Sequence, residues 1–277
     1  ASKIKAFIPW LIIFGLWAVF QGALAATVAA PVLDGLLPGP DEYMRMVRVA
    51  ELRDGGGWYD SVIARGNAPY GETLHWTRPL DILILGGATL LSLFMSPANA
   101  LFASGVAVAP LLGLVTCFAI AWATLPLLGR DRSILAVFLF LIQPAILGYS
   151  AVGRADHHAL LFLLFVLVVG GTIRNLAPHP TIRSALATGV TYGLAIWVSI
   201  EMTLLIAICQ ATAAYTWLRY ENARARAHLI AACAFVLTSV LALLAEAFDA
   251  EMHGLAALEE ARLRLQAHAD AGRRTGR

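Results

Sequence analysis

Long apolar runs separated by short charged clusters dominate the chain. About 20 helical residues cross the hydrocarbon of a bilayer, which predicts spans near residues 8–30, 99–128, 133–150, 158–173, 183–200, 203–219 and 228–247. The run from Ile82 to Met95 is shorter and opens on Asp81, so it predicts an interfacial or re-entrant helix. Ahead of it, Tyr43, Met44, Val47 and Leu52 alternate with Arg45, Arg48 and Glu51 at helical spacing. That pattern predicts an amphipathic helix over 41–53, begun by Pro40 and ended at Gly55-Gly56-Gly57. The predicted architecture is an all-α polytopic membrane helix bundle of about seven spans. It occupies residues 1–250, with a long outer first loop over 31–98 carrying interfacial helices. Residues 251–277 read as a tail: a short helix from Leu255 to Gln266, then a basic stretch.

Composition changes the picture little. Of 277 residues, 59% are hydrophobic and 14% charged, against about 25% charge in soluble domains. Lys3, Lys5 and Ala23-Leu24-Ala25 imitate a signal peptide, but the apolar run is too long for a signal core, so an uncleaved first helix is expected. Loop charges then orient the bundle. If 82–95 does not cross, Lys3, Lys5, Arg130, Arg132, Arg174, Arg183, Arg219, Arg224 and Arg226 share the cytoplasmic side. Asp41, Asp156, Glu201, Glu246 and Asp249 then share the outer side. Cys117, Cys209 and Cys233 lie within apolar runs, which predicts buried free thiols. No Gly-rich nucleotide loop, nucleophile elbow or HExxH occurs. A nucleotide-dependent cytoplasmic reaction is disfavoured, and nothing marks a nucleic-acid partner.

Two acidic clusters carry the candidate chemistry. Asp41-Glu42 follows Pro38-Gly39-Pro40 and is either a carboxylate pair facing a cavity or a helix start favoured by the dipole. Asp156-His157-His158 opens a span without a polar spacer. Carboxylate oxygen and imidazole can hold magnesium, manganese or zinc; the alternative is an interfacial helix start. Arg45, Arg48, Arg78 and Arg154 are cations on the outer side, suited to gripping a phosphate or to pairing with Glu51, Asp81 or lipid phosphates. Glu201 is a third acid for the site or a turn residue, and His75-Trp76 a sugar-stacking or headgroup contact.

These residues resemble a known family. Asp41-Glu42-Tyr43-Met44-Arg45, Gly57-Trp58-Tyr59-Asp60, His75-Trp76 and Gly153-Arg154-Ala155-Asp156-His157-His158 look like the membrane glycosyltransferases of the GT-C fold. Closest in layout is the catalytic subunit family of oligosaccharyltransferases and its bacterial relatives. The resemblance implies an enzyme of a bacterial-type inner membrane, taking sugar from a polyprenyl-phosphate donor on the extracytoplasmic face. It implies catalytic roles for Asp41, Glu42 and Asp156, with a divalent cation, magnesium or manganese, held by Asp41, Asp156 and His158. Arg45, Arg78, His75, Trp76, Arg154 and Glu201 would bind substrate, and Trp197-Val198-Ser199 falls where the family has an aromatic near a helix end. His158 stands in place of the family's second acid, and the Trp-Trp-Asp-Tyr-Gly motif is missing, so peptide N-glycosylation is not implied. The alternatives are an ion- or proton-coupled transporter or lipid-binding protein, and a truncated, inactive structural subunit.

Overall fold

The computed structural model describes residues 2–60, 62–63, 65–219 and 225–246, with no side-chain account of 2–6. The tail 251–277, its expected helix from Leu255 to Gln266, Arg224 and Asp249 lie outside the described residues. Helices run over Ser2–Leu33 (α1), Pro40–Arg53 (α2), Pro79–Leu91 (α3), Pro97–Leu128 (α4), Arg130–Leu141 (α5), Pro144–Tyr149 (α6), His158–Asn175 (α7), Ile182–Val198 (α8) and Met202–Arg219 (α9). Another helix, Ala225–Glu246 (α10), follows.

Among the described residues, four helices are long and apolar enough to cross a membrane: Phe7–Leu33 within α1, then α4, α7 and α10. The chain is therefore a multi-pass membrane protein built from helices. α8 and α9 form where spans were expected but are not among those four. The stretch 133–150 is a correction: it is two helices, α5 of 12 residues and α6 of 6, parted at Gln143. Pro144 has no N–H to give and forces its predecessor out of helical geometry, and Gln143 is extended. A second departure is a two-residue antiparallel ladder, Val62–Ile63 (β1) with Glu72–Thr73 (β2), inside the long loop between α2 and α3. The third concerns Cys233, which is exposed on α10, whereas Cys117 and Cys209 are buried free thiols as expected.

α3 is 13 residues long, about 20 Å at 1.5 Å per residue, which falls short of a ~30 Å hydrocarbon layer. α4 is the hub, packing on α1, α3, α5 and α7, while α7 packs on α8. Small residues allow the close approaches that membrane helices depend on. A Cβ on Gly171 of α7 would lie 2.6 Å from Thr188 Oγ1 of α8, and one on Gly189 of α8 would strike the Ala231 carbonyl of α10.

One end of the bundle gathers the start of α2, the starts of α3 and α7, and the ends of α8 and α10. Cross-links show it: Arg154 pairs with Glu42, Thr77 donates to Val198 O, and Trp58 donates to Ala245 O.

Candidate functional site

The site begins with an unusual helix. Pro40 at the first position and Asp41 and Glu42 in the first turn suit the N-terminus of α2. Its buried face, however, is Glu42, Arg45, Arg48 and Val49. Charges survive burial only when paired and hydrogen-bonded, and here the partner is Asp81 in the first turn of α3, which is 0% exposed. Arg45 Nη1 donates to Asp81 Oδ1 at 2.7 Å, Arg78 Nη1 lies 3.2 Å from Oδ2, and Arg48 Nε 3.3 Å from Oδ2.

The three guanidiniums also fasten the long loop between α2 and α3. Arg78 donates to the carbonyls of Trp58 at 2.7 Å and Asp60 at 2.8 Å. Arg45 donates to Thr77 O at 3.3 Å, and Arg48 to Trp76 O. Arg45 stands 4.4 Å over the Trp76 ring and Arg78 5.7 Å over Trp58, contacts that gain strength away from water. Burial pulls the Arg48 guanidinium down to about 10; Asp81 opposes that pull, and Arg78 and Arg45 add to it.

The second segment is anchored by a proline. Pro110 in α4 has no N–H, so the carbonyl of Val106, four residues earlier, lacks its helical partner. The Gly153 N–H takes that acceptor at 3.0 Å. Gly153 has φ +86°, and a Cβ there would meet Val32 at 2.9 Å and Pro38 at 3.3 Å, so only glycine fits. The next residue, Arg154, has Nη1 3.1 Å from Oε1 of Glu42 and its guanidinium 5.1 Å over Tyr149.

Asp156, 8% exposed, follows. Its Oδ1 accepts from the His157 backbone N–H at 2.6 Å and lies 2.8 Å from His157 Nδ1; its Oδ2 is 2.6 Å from His158 Nδ1. The His158 ring stacks on Tyr149 with centroids 4.3 Å apart. Burial pushes the Asp156 carboxyl up, but the hydrogen bonds from His157 and His158, with their charges, together outweigh it and hold the group well below the usual carboxylate range.

A cavity of about 530 Å³ opens beside these groups. Arg45, His75, Trp76, His157, His158 and Glu201 line it, with Trp197 completing one wall. Of the residues expected to act, Arg45, His75, Trp76, His158 and Glu201 thus share one cavity, with Asp156 held directly behind the two histidines. Glu42 and Arg154 form the latch between the two segments. Asp41 is exposed in the first turn of α2. Arg78 is not a lining residue; it is 2% exposed, with its donors turned to Asp81 and the loop carbonyls. His157, a member of the Asp156-His157-His158 cluster to which the resemblance gives no role of its own, lines the cavity, while Asp81 and Glu246 belong to this end of the bundle without a site role from sequence. Asp81 carries a signal in the sequence, an acid opening an apolar run, which predicts an interfacial helix and a pairing partner for the arginines but not the centre of a buried cluster.

Asp156, His157 and His158 each offer a ligand atom, and these atoms lie within 4.8 Å of one another. Among the described residues this is the one such group, and Asp41 is not in it. One carboxylate and two imidazoles fit a divalent cation of the manganese or zinc kind better than magnesium, which prefers oxygen.

No protein-family model matches the chain. Its sequence is 27% identical over 157 residues to "Dolichyl-phosphooligosaccharide-protein glycotransferase 1" of Archaeoglobus fulgidus, a match covering 54% of this chain and 25% of that protein. The relationship is distant, and the matched stretch spans a quarter of the relative's length.

Proposed function

We propose that the chain is a membrane glycosyltransferase taking its sugar from a polyprenyl-phosphate-linked donor, with its active site at the acidic, extracytoplasmic end of the bundle. In this reading the N-terminus is cytoplasmic and the chain crosses about seven times, α8 and α9 as a pair and α5 with α6 as one broken crossing. The carrying observation is that the Asp41-Glu42 segment and the Asp156 segment are joined by the Glu42–Arg154 pair beside a cavity lined by Arg45, His157 and His158. The distant glycosyltransferase relative supports the same class.

Transfer breaks the bond between the sugar's anomeric carbon and the phosphate oxygen and forms one from that carbon to the acceptor. Negative charge collects on the departing phosphate, and Arg45 at the cavity wall stabilises it in a site screened from water. Trp76 and His75 offer faces for the sugar. Asp41, exposed at the start of α2 and outside the cavity wall, would take the proton of an acceptor nucleophile that approaches the donor from the α2 side. Asp156, His157 and His158 would hold a divalent cation, which when bound supplies Lewis-acid stabilisation of phosphate charge. The Asp156 carboxyl, held ionised by its histidines, is ready to ligate.

The test is turnover of a radiolabelled polyprenyl-phosphate sugar by the full chain in proteoliposomes. Loss of label from the lipid, dependent on the folded protein, supports the reading; an unchanged donor under manganese, magnesium and zinc in turn contradicts it.

A further inference from the structure

A carboxylate at the end of α10 ties together two walls of the cavity. Glu246 Oε1 accepts from the Trp197 indole N–H at 2.7 Å and from the Arg78 backbone N–H at 2.9 Å. Trp197 stands in the last turn of α8 and lines the cavity. Arg78 is where the outer loop turns into α3, next to the lining residue Thr77. The two walls also touch directly, since the Thr77 hydroxyl donates to Val198 O at 3.3 Å. The residue before Glu246 is gripped as well: the Trp58 indole N–H donates to Ala245 O at 2.9 Å, while the same ring lies under Arg78. Three segments distant in sequence thus close on the last turn of one helix.

Charge gives the contact a second role. Asp81 alone leaves the Arg45, Arg48 and Arg78 cluster with two uncompensated positive charges, and Glu246 is the further carboxylate that acts on Arg48. A carboxylate accepting two N–H groups in a half-buried place fixes both donors more firmly than a neutral acceptor does.

The geometry points to Glu246 as a positioning residue of this cavity: it orients the Trp197 indole and the start of α3, so that the shape of the cavity depends on the seating of α10. It touches no reacting group itself. Its effect on turnover rests on the transferase reading above; its effect on Trp197 does not. A glutamate that merely ended an apolar helix at headgroup depth would leave the Trp197 ring unaffected.

The full chain labelled with 5-fluorotryptophan and placed in nanodiscs tests this by fluorine NMR, with Trp197→Phe identifying the Trp197 resonance and Trp122→Phe a reference at the opposite end. Glu246→Ala shifts the Trp197 resonance and leaves Trp122 unmoved, while Glu246→Gln, which keeps an acceptor oxygen without the charge, shifts it by clearly less. If Glu246→Ala does not accumulate, Glu246→Asp, with the acceptor withdrawn by one methylene, gives the same shift. Turnover of a polyprenyl-phosphate sugar falls on the order of tenfold or more in the shifted variant, and Gln restores most of it. A Trp197 resonance unmoved by both Ala and Asp, or moved as much by Gln as by Ala, overturns the assignment. Should wild type itself show no turnover, the transferase reading fails, and the fluorine shift alone decides the role of Glu246.

Discussion

Arg154 Nη1 lies 3.1 Å from Oε1 of Glu42, whose side chain is 2% exposed. The loop entering α7 is therefore locked to the first turn of α2, and through it to the Arg45, Arg48 and Arg78 cluster. Removing Arg154 leaves the Glu42 carboxylate buried and unpaired, which costs about 1–3 kcal/mol. Arg154→Ala is expected to lower the thermal midpoint in detergent more than Glu42→Gln does, because the amide is easier to bury. The double variant should lose less than the sum of the two, as contacting residues do.

Asp81 is the keystone of the charged cluster. Asp81→Asn leaves three buried guanidiniums without their central carboxylate, and breaking a buried pair typically costs about 3–5 kcal/mol. The expected outcome is a chain recovered from membranes at strongly reduced yield, with early loss of the loop over 57–77 in limited proteolysis. A Phe in place of exposed Tyr70 serves as a neutral control.

Gly153 and Pro110 act as one device. Gly153→Ala forces a side chain into a left-handed backbone and against Val32, costing about 2 kcal/mol or more. Pro110→Ala gives Val106 back its helical N–H donor, in competition with Gly153. Hydrogen exchange at the Gly153 amide should quicken in Pro110→Ala while the helicity of α4 rises.

The low-lying carboxyl of Asp156 fixes the sign of an acid effect. An unfolded Asp titrates near 3.9, and folding lowers this one. Its contribution to stability is then present in full above that unfolded value and is lost as pH falls through it toward the folded value. Thermal unfolding should show wild type losing stability below about pH 4, with a flatter profile for Asp156→Asn over the same range.

Much of this molecule is legible in its sequence because membrane burial leaves little choice. Apolar length set α1, α4, α7 and α10, and Asp81 together with shortness marked α3 as different. The Arg45 and Arg48 helix was found by its period, but the period could not reveal that the charged face is the buried one, since that needs Asp81 brought in from another helix. Pro144 broke an expected helix that hydropathy alone ran straight through. His75, Trp76, His158 and Glu201 were picked as candidates by chemistry, and their shared cavity is a matter of packing. Glu246 was invisible as more than a helix end, because both of its donors come from distant segments.

The claim at the centre is that two acidic segments serve one transfer site. It is tested most directly by the rate at which the purified chain in proteoliposomes moves sugar from a polyprenyl-phosphate donor, compared among wild type, Asp41→Asn and Asp156→Asn. The account predicts that each substitution lowers the rate on the order of a hundredfold or more in a chain still folded at the assay temperature, with the thermal midpoint at neutral pH little changed for exposed Asp41→Asn and lowered for Asp156→Asn, which loses the ion pairing with its histidines. Full transfer by both variants would contradict it.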